Sequence, residues 1–150
     1  MKITQEADYA LRMVCLLARQ SVAGVSTVGA ATLAEGVAVP TRFGLKILHK
    51  LSDAKLVKTS RGATGGYSLN ADPSTVTVRH VIEAIDGPIE INRCLSGTHV
   101  CLNNPNKELC RLHHVFESLN QQLVDRLDKL TVAMVVDDAL GLGDLLAVIR

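Results

Sequence analysis

The chain has 150 residues, 47% of them hydrophobic, but only two Phe, two Tyr and no Trp. This length allows one domain with a proper core, or a small domain with an oligomerisation arm, and leaves no room for two large domains. A core short of aromatic rings must be filled by Leu, Val, Ile and Ala, which suits helix packing and argues against an all-β sandwich. The formal net charge of +1 hides a local imbalance: Arg42 to Arg61 holds six cations and one acid, Asp53, whereas the rest holds ten cations and fourteen acids. A basic face on a near-neutral protein still attracts phosphates, because counterion release comes from the patch that touches the duplex.

The N-terminus carries no leader pattern: Met1-Lys2 runs into Glu6 and Asp8, and the apolar stretch Val14 to Ala18 is short and bracketed by Arg12 and Arg19. No stretch approaches a membrane span. A cytoplasmic protein without a membrane partner is expected, and there clustered cysteines more often serve metal or redox chemistry than disulfides.

From Thr4 to about Ala23, the residues Ala7, Ala10, Leu11, Val14, Leu17 and Ala18 recur at helical spacing, with Thr4 placed to cap. After Gly24, a short helix is expected from about Ser26 or Thr32 through Leu33 and Ala34 to Gly36. Val39-Pro40 then reads as a start signal for a helix from Arg42 to Lys55 with Phe43, Ile47, Leu48 and Leu51 apolar. The short gap between these helices makes a helix-turn-helix, whose second helix enters the major groove. Thr41, Arg42, Leu45 and Lys46 would lead it, with His49 and Lys50 a turn later.

Val57 to Leu69 reads as a β-hairpin wing. Gly62, Gly65 and Gly66 are expected to supply positive backbone angles at its reversal, and Ser60, Arg61 and Gly62 its tip. Arg61 there suits the negative potential of a minor groove. A helix from Val76 to Asp86 should stop at Gly87-Pro88, a polar loop covers 90–110, and Leu112 to Leu130 repeats Leu and Val every three or four residues. Such a helix would run about 28 Å, long enough to call for a partner helix, with packing on the first helix as the alternative. The tail from Val132 to Ile149 reads only weakly, as a further helix or strand.

Cys94, Cys101 and Cys110 fall within 17 residues, separated by gaps of six and eight, while Cys15 lies in the first helix as a small hydrophobe. Thiolates are the usual protein ligands of iron–sulfur clusters and of zinc. The gaps are wider than in a zinc ribbon or a bacterial ferredoxin and suit a loop wrapped around a larger object. His113, one helical turn beyond Cys110, offers a fourth ligand, with His114 and His99 as alternatives. Free thiols and structural zinc remain open on spacing alone.

The order of these features resembles the Rrf-two family of bacterial transcription regulators, the IscR/NsrR/RirA type. The resemblance rests on Met1-Lys2-Ile3-Thr4 with Asp8-Tyr9-Ala10, on Ser60-Arg61-Gly62 with Gly65-Gly66-Tyr67-Ser68-Leu69, and on Val81-Ile82-Glu83-Ala84-Ile85-Asp86-Gly87. It implies a winged-helix homodimer crossed through the long C-terminal helix, bound to pseudo-palindromic promoter DNA and often controlled by an iron–sulfur cluster near the dimer interface. Cys94, Cys101 and Cys110 match the family's cluster-ligand loop. His113 matches the histidine that completes the two-iron site of IscR-like members, and Asp8 the aspartate that NsrR-like members bring from the partner's first helix. Both are present, so a 2Fe–2S and a 4Fe–4S cluster stay open. Thr41 to Lys46 fall on the family's recognition helix and Arg61 on its wing arginine. The cysteine gaps are longer than is common in the family, and Leu45 stands where IscR-like members carry a polar or acidic residue.

The expected fold is therefore mainly α with a small β-hairpin wing. A winged helix-turn-helix domain would occupy 1–88, a cluster loop 89–111, and a dimerisation helix with its tail 112–150. The expected function is a repressor of promoter DNA gated by the cluster. The same fold with cluster-free thiol or zinc sensing is one alternative, and an iron–sulfur carrier is another. No catalytic triad, phosphate loop or carboxylate pair points to an enzyme.

Overall fold

The computed structural model describes residues 3–62, 65–103 and 106–150. The helices are α1 (Gln5–Val22), α2 (Ala30–Gly36), α3 (Thr41–Asp53), α4 (Val78–Asp86), α5 (Arg111–Lys129), α6 (Val132–Val136) and α7 (Leu142–Val148). The strands are β1 (Val57–Ser60) and β2 (Gly66–Leu69), and two 3-10 turns, Arg93–Leu95 and Lys107–Leu109, lie between α4 and α5. Among the described residues no helix is long and apolar enough to cross a membrane.

The start of α1 follows from one hydroxyl: Thr4 Oγ1 accepts from the Ala7 amide at 3.2 Å, satisfying a donor that the first helical turn leaves free. The buried stripe of α1, Ala7, Ala10, Val14 and Leu17, packs into one core with Leu33 and Ala34 of α2, Ile47, Leu48 and Leu51 of α3, Val57 and Leu69 of the wing, and Val81 and Ile85 of α4. At about 25 cal/mol per Å² of buried apolar surface, this layer dominates the free energy of the fold.

The helix expected from Ser26 or Thr32 begins instead at Ala30. Val28 is extended and pairs with Tyr67, each amide donating to the other's carbonyl at 2.9 Å. The outer edge of β2 would otherwise leave those backbone groups unpaired, so the loop before α2 closes that edge with a single bridge. On its other side β2 pairs antiparallel with β1 in the register Val57↔Leu69 to Ser60↔Gly66.

The wing glycines do not act as expected. Of the three, only Gly62 has a positive φ, +118°. Gly65 and Gly66 are demanded by close approach: a Cβ would lie 2.6 Å from the Ser60 carbonyl oxygen at the first and 2.6 Å from that of Val28 at the second.

Thr77 caps α4 in a reciprocal pair with His80, each side chain accepting from the other's backbone amide at 3.2 Å. The same segment meets the end of α5: the Val78 amide donates to Leu130 O and the Val132 amide to Val76 O, both at 2.8 Å. The tail is helical, α6 and α7, and Val132 re-enters the main core. Between these anchors α5 packs on α4 through a small cluster of Ile82, Ile89 and Val124, and of α1 only Leu11 joins it. Val124 is the one buried residue of α5, whereas Leu112, Val115 and Leu119 are at least half exposed.

Candidate nucleic-acid interface and cysteine loop

The α2–α3 crossing is tight because Gly44 has no side chain. A Cβ there would sit 2.9 Å from that of Ala34 and 3.2 Å from Met13 Cε. The turn between them carries Ala38 at φ +56°, and the edge-on rings of Tyr9 and Phe43, 6.1 Å apart, brace α3 against α1. With its inner face so held, α3 turns Thr41, Arg42, Lys46 and His49 to solvent, while Leu45 is half-buried. No side chain caps its N-terminus and no acid occupies its first turn, so the positive end of the helix dipole stays available to an anion.

The lysines of α3 are less free than their sequence implies. Lys50 Nζ donates to Ile85 O at 3.3 Å and lies 2.9 Å from Glu6 Oε1, and Lys46 Nζ lies 3.6 Å from Glu6 Oε2. Lys50 thereby ties α3 to α1 and α4. Sequence reasoning missed Glu6, whose only signal there was an acid in the first turn of α1. Ser60, Arg61 and Gly62 are exposed on the wing, where Ser60 and Arg61 border a polar cleft shared with Lys58, Ser68 and Ser26.

The three clustered cysteines are free and half-buried. Cys94 lies on the first 3-10 turn, its amide donating to Asn92 Oδ1 at 3.2 Å. Cys101 lies in irregular backbone, and Cys110 precedes α5. Asn120, a second residue the sequence did not flag, latches the start of the loop to α5: its side chain accepts from the Ile91 amide at 3.0 Å and donates to Ile89 O at 2.9 Å. Lys107 Nζ donates to Ser96 O at 3.0 Å across the loop.

Among the described residues, no three of His, Cys, Asp or Glu converge on a common metal position. The donors still suit an iron–sulfur cluster by their chemistry. His113 Nδ1 is buried without a hydrogen-bond partner, and His113 lines a hollow with Leu95 and Lys107, beside the turn that carries Cys94. Three free thiols and an unpartnered imidazole nitrogen are what such a cluster takes. His114 suits it poorly. Its Nε2 lies 2.8 Å from Glu108 O and its Nδ1 3.6 Å from Glu117. The Glu108 carbonyl first, and the Glu117 carboxylate after it, raise the imidazole's pKa, whereas a metal ligand must give up its proton. Within the chain Asp8 pairs with Arg12 at 2.9 Å. The His99 amide donates to Ser96 O at 3.3 Å. Burial pushes the Cys15 thiol up, against an opposing pull from Arg19, which keeps it protonated in α1.

Comparison with known proteins agrees with this architecture. The family model described as Rrf2, Iron-dependent Transcriptional regulator, matches residues 3–138. The chain is 27% identical over 133 residues to the HTH-type transcriptional regulator NsrR of Bacillus subtilis, covering 88% of each. It is 32% identical over 147 residues to an rrf2-like HTH-type regulator of Rhodobacter capsulatus, covering 95% of this chain and 94% of that one. It is 28% identical over 138 residues to IscR of Vibrio vulnificus, covering 92% and 79%. Among solved structures, CymR, the global cysteine regulator of B. subtilis, superposes with a TM-score of 0.71 at 23% identity over 91% of this chain and 96% of that one. IscR of T. potens gives 0.71 at 23% identity over 93% and 88%. The two structures share the fold. Matched along nearly its whole length, this mainly helical, winged chain belongs to the Rrf2 family of transcriptional regulators and is not an enzyme.

Proposed function

We propose that the protein is a cytoplasmic, homodimeric repressor of promoter DNA whose affinity is set by an iron–sulfur cluster held by Cys94, Cys101 and Cys110. The observation that carries this reading is the unpartnered, buried Nδ1 of His113, in a chain segment that also carries three free thiols. His113, or Asp8 from a second copy, would complete the ligand set, and the choice between them accompanies that between a 2Fe–2S and a 4Fe–4S cluster. Residues 1–88 act as the DNA-binding domain, 89–111 as the sensing loop and 112–150 as the dimerisation arm.

In this reading Thr41, Arg42 and Lys46 meet the major groove from α3. Lys50 anchors that helix while adding to its potential, and Ser60, Arg61 and Gly62 carry the wing to the minor groove. A bound cluster would supply chemistry sensitive to redox state, nitric oxide and iron supply. The start of the loop is tied to α1 and to α5. Asp86, at its N-terminal side, accepts from the Thr4 amide at 3.1 Å and from its hydroxyl at 2.6 Å, and Asn120 holds the adjoining segment on α5. Closing the three cysteines on a common centre would pull on this tethered start of the loop.

Anaerobically purified protein should be brown and contain near-stoichiometric iron and sulfide, lost in Cys101→Ala. Colourless protein holding only zinc would overturn the cluster. A second reading, cluster-free thiol sensing, is favoured by the separation of the cysteines. It predicts promoter binding that ignores iron and responds to thiol oxidants.

A further inference from the structure

In sequence, α3 and the wing form a patch of six cations opposed only by Asp53. In space a second acid joins it from α1. The Glu6 side chain is 19% exposed and lies 2.9 Å from Lys50 Nζ and 3.6 Å from Lys46 Nζ. Its placement is rigid: Thr4 ties the preceding backbone to Asp86 through two hydrogen bonds, and Lys50 is pinned from its other side by Ile85 O. Glu6 Oε1 is buried yet accepts no well-directed hydrogen bond, so proximity of charge holds the pair with Lys50.

The two lysines differ. Lys50 is one-third exposed and shared between two protein acceptors, so it stays clamped. Lys46 is 60% exposed at the longer distance, and an ion pair of that exposure is weak. A duplex phosphate could win it, but only by displacing a carboxylate already in place. A lysine contributes fully to counterion release only when its charge is not neutralised beforehand.

We propose that Glu6 is a positioning residue that competes with DNA phosphates for Lys46, lowering sequence-independent affinity so that base contacts weigh more in the total. This rests on the reading of α3 as the DNA-facing helix. It makes the first turn of α1 an adjustable brake on that helix.

The test is fluorescence anisotropy with a labelled random-sequence duplex of about 30 base pairs, titrated between about 50 and 200 mM salt, which isolates the charge term. Glu6→Gln should bind about threefold more tightly at intermediate salt, with a log–log salt slope steeper by about 0.9, one further phosphate contact. In a Lys46→Gln background the same change should lose most of its effect on affinity and leave the salt slope unchanged. Glu6→Asp, which keeps the charge on α1 but shortens its reach, should move the slope part of the way and guards against a folding defect in Glu6→Gln. Folded Glu6→Gln or Glu6→Asp with the affinity and slope of wild type, or weaker binding, would overturn the role of Glu6 while leaving the DNA reading intact. Wild type that binds no duplex would overturn the reading of α3 itself, and this inference with it.

Discussion

The body built from α1 to α4 and the arm built from the cysteine loop and α5 are packed by different rules. In the body each helix buries a continuous stripe: Met13, Leu33, Ile47, Leu48 and Leu51 are fully enclosed. In the arm a helix of 19 residues buries one of them, Val124, and its first half carries Leu112, Val115 and Leu119 in the open. At three- and four-residue spacing these side chains share one face of the helix, and an exposed apolar face suits a partner surface. The contrast teaches that the body buries its apolar faces within one copy, whereas the arm leaves part of its stripe exposed, and a second copy is the partner we propose for it.

The sharpest way to break this contrast is to empty one site in each region. Leu48→Ala removes a fully enclosed side chain and should lower stability by about 2 to 5 kcal/mol in urea denaturation. Gly44→Val should cost about 1 to 3 kcal/mol by overpacking, since Ala34 Cβ and Met13 Cε already occupy the space. Leu119→Ala should change the stability of the dissociated chain by no more than about 0.5 kcal/mol, yet weaken self-association in sedimentation. A fully stable dimer in that variant would remove the functional meaning of the exposed stripe.

Thiol chemistry sharpens the comparison at a smaller scale. An alkylating reagent should label Cys94, Cys101 and Cys110 well before Cys15, whose thiol is raised by burial in the body. Mass spectrometry of the time course would show it, and early labelling of Cys15 would contradict the packing of α1. The smallest effect lies at the seam where the arm rejoins the body. Asp72 accepts from the Ser74 hydroxyl and amide at 2.6 and 2.8 Å, and these bonds hold its carboxyl below the usual range. A depressed carboxyl contributes stability above its unfolded pKa and loses it as pH falls through the folded value. The melting advantage of wild type over Asp72→Asn should therefore fade on acidification.

The body was largely legible because its signals are local. Thr4 and Pro40 mark helix starts, Gly87-Pro88 marks a stop, and the apolar spacing of α1 and α3 names the faces that meet. The errors came where backbone from elsewhere intrudes. Val28 is extended because β2 needs an edge partner, and Gly66 is glycine because that partner passes within reach of a Cβ. Neither fact has a trace in local propensity. The thiol donors were visible as residue types, but their separation, the buried nitrogen of His113 and the protonation-favouring partners of His114 depend on how the loop folds back on α5.

Composition and periodicity by themselves determined a mainly helical chain, a basic third helix with a wing behind it, and a cysteine-bearing loop before a long apolar-striped helix. These are properties of neighbours in sequence, where spacing and residue chemistry act directly. Only the tertiary structure decided which cations stay free for DNA, which glycines serve close approach and where the long helix leaves its stripe uncovered. Charge and van der Waals contact act through space, and a carboxylate 40 residues from Lys46 in sequence lies 3.6 Å from it in the fold.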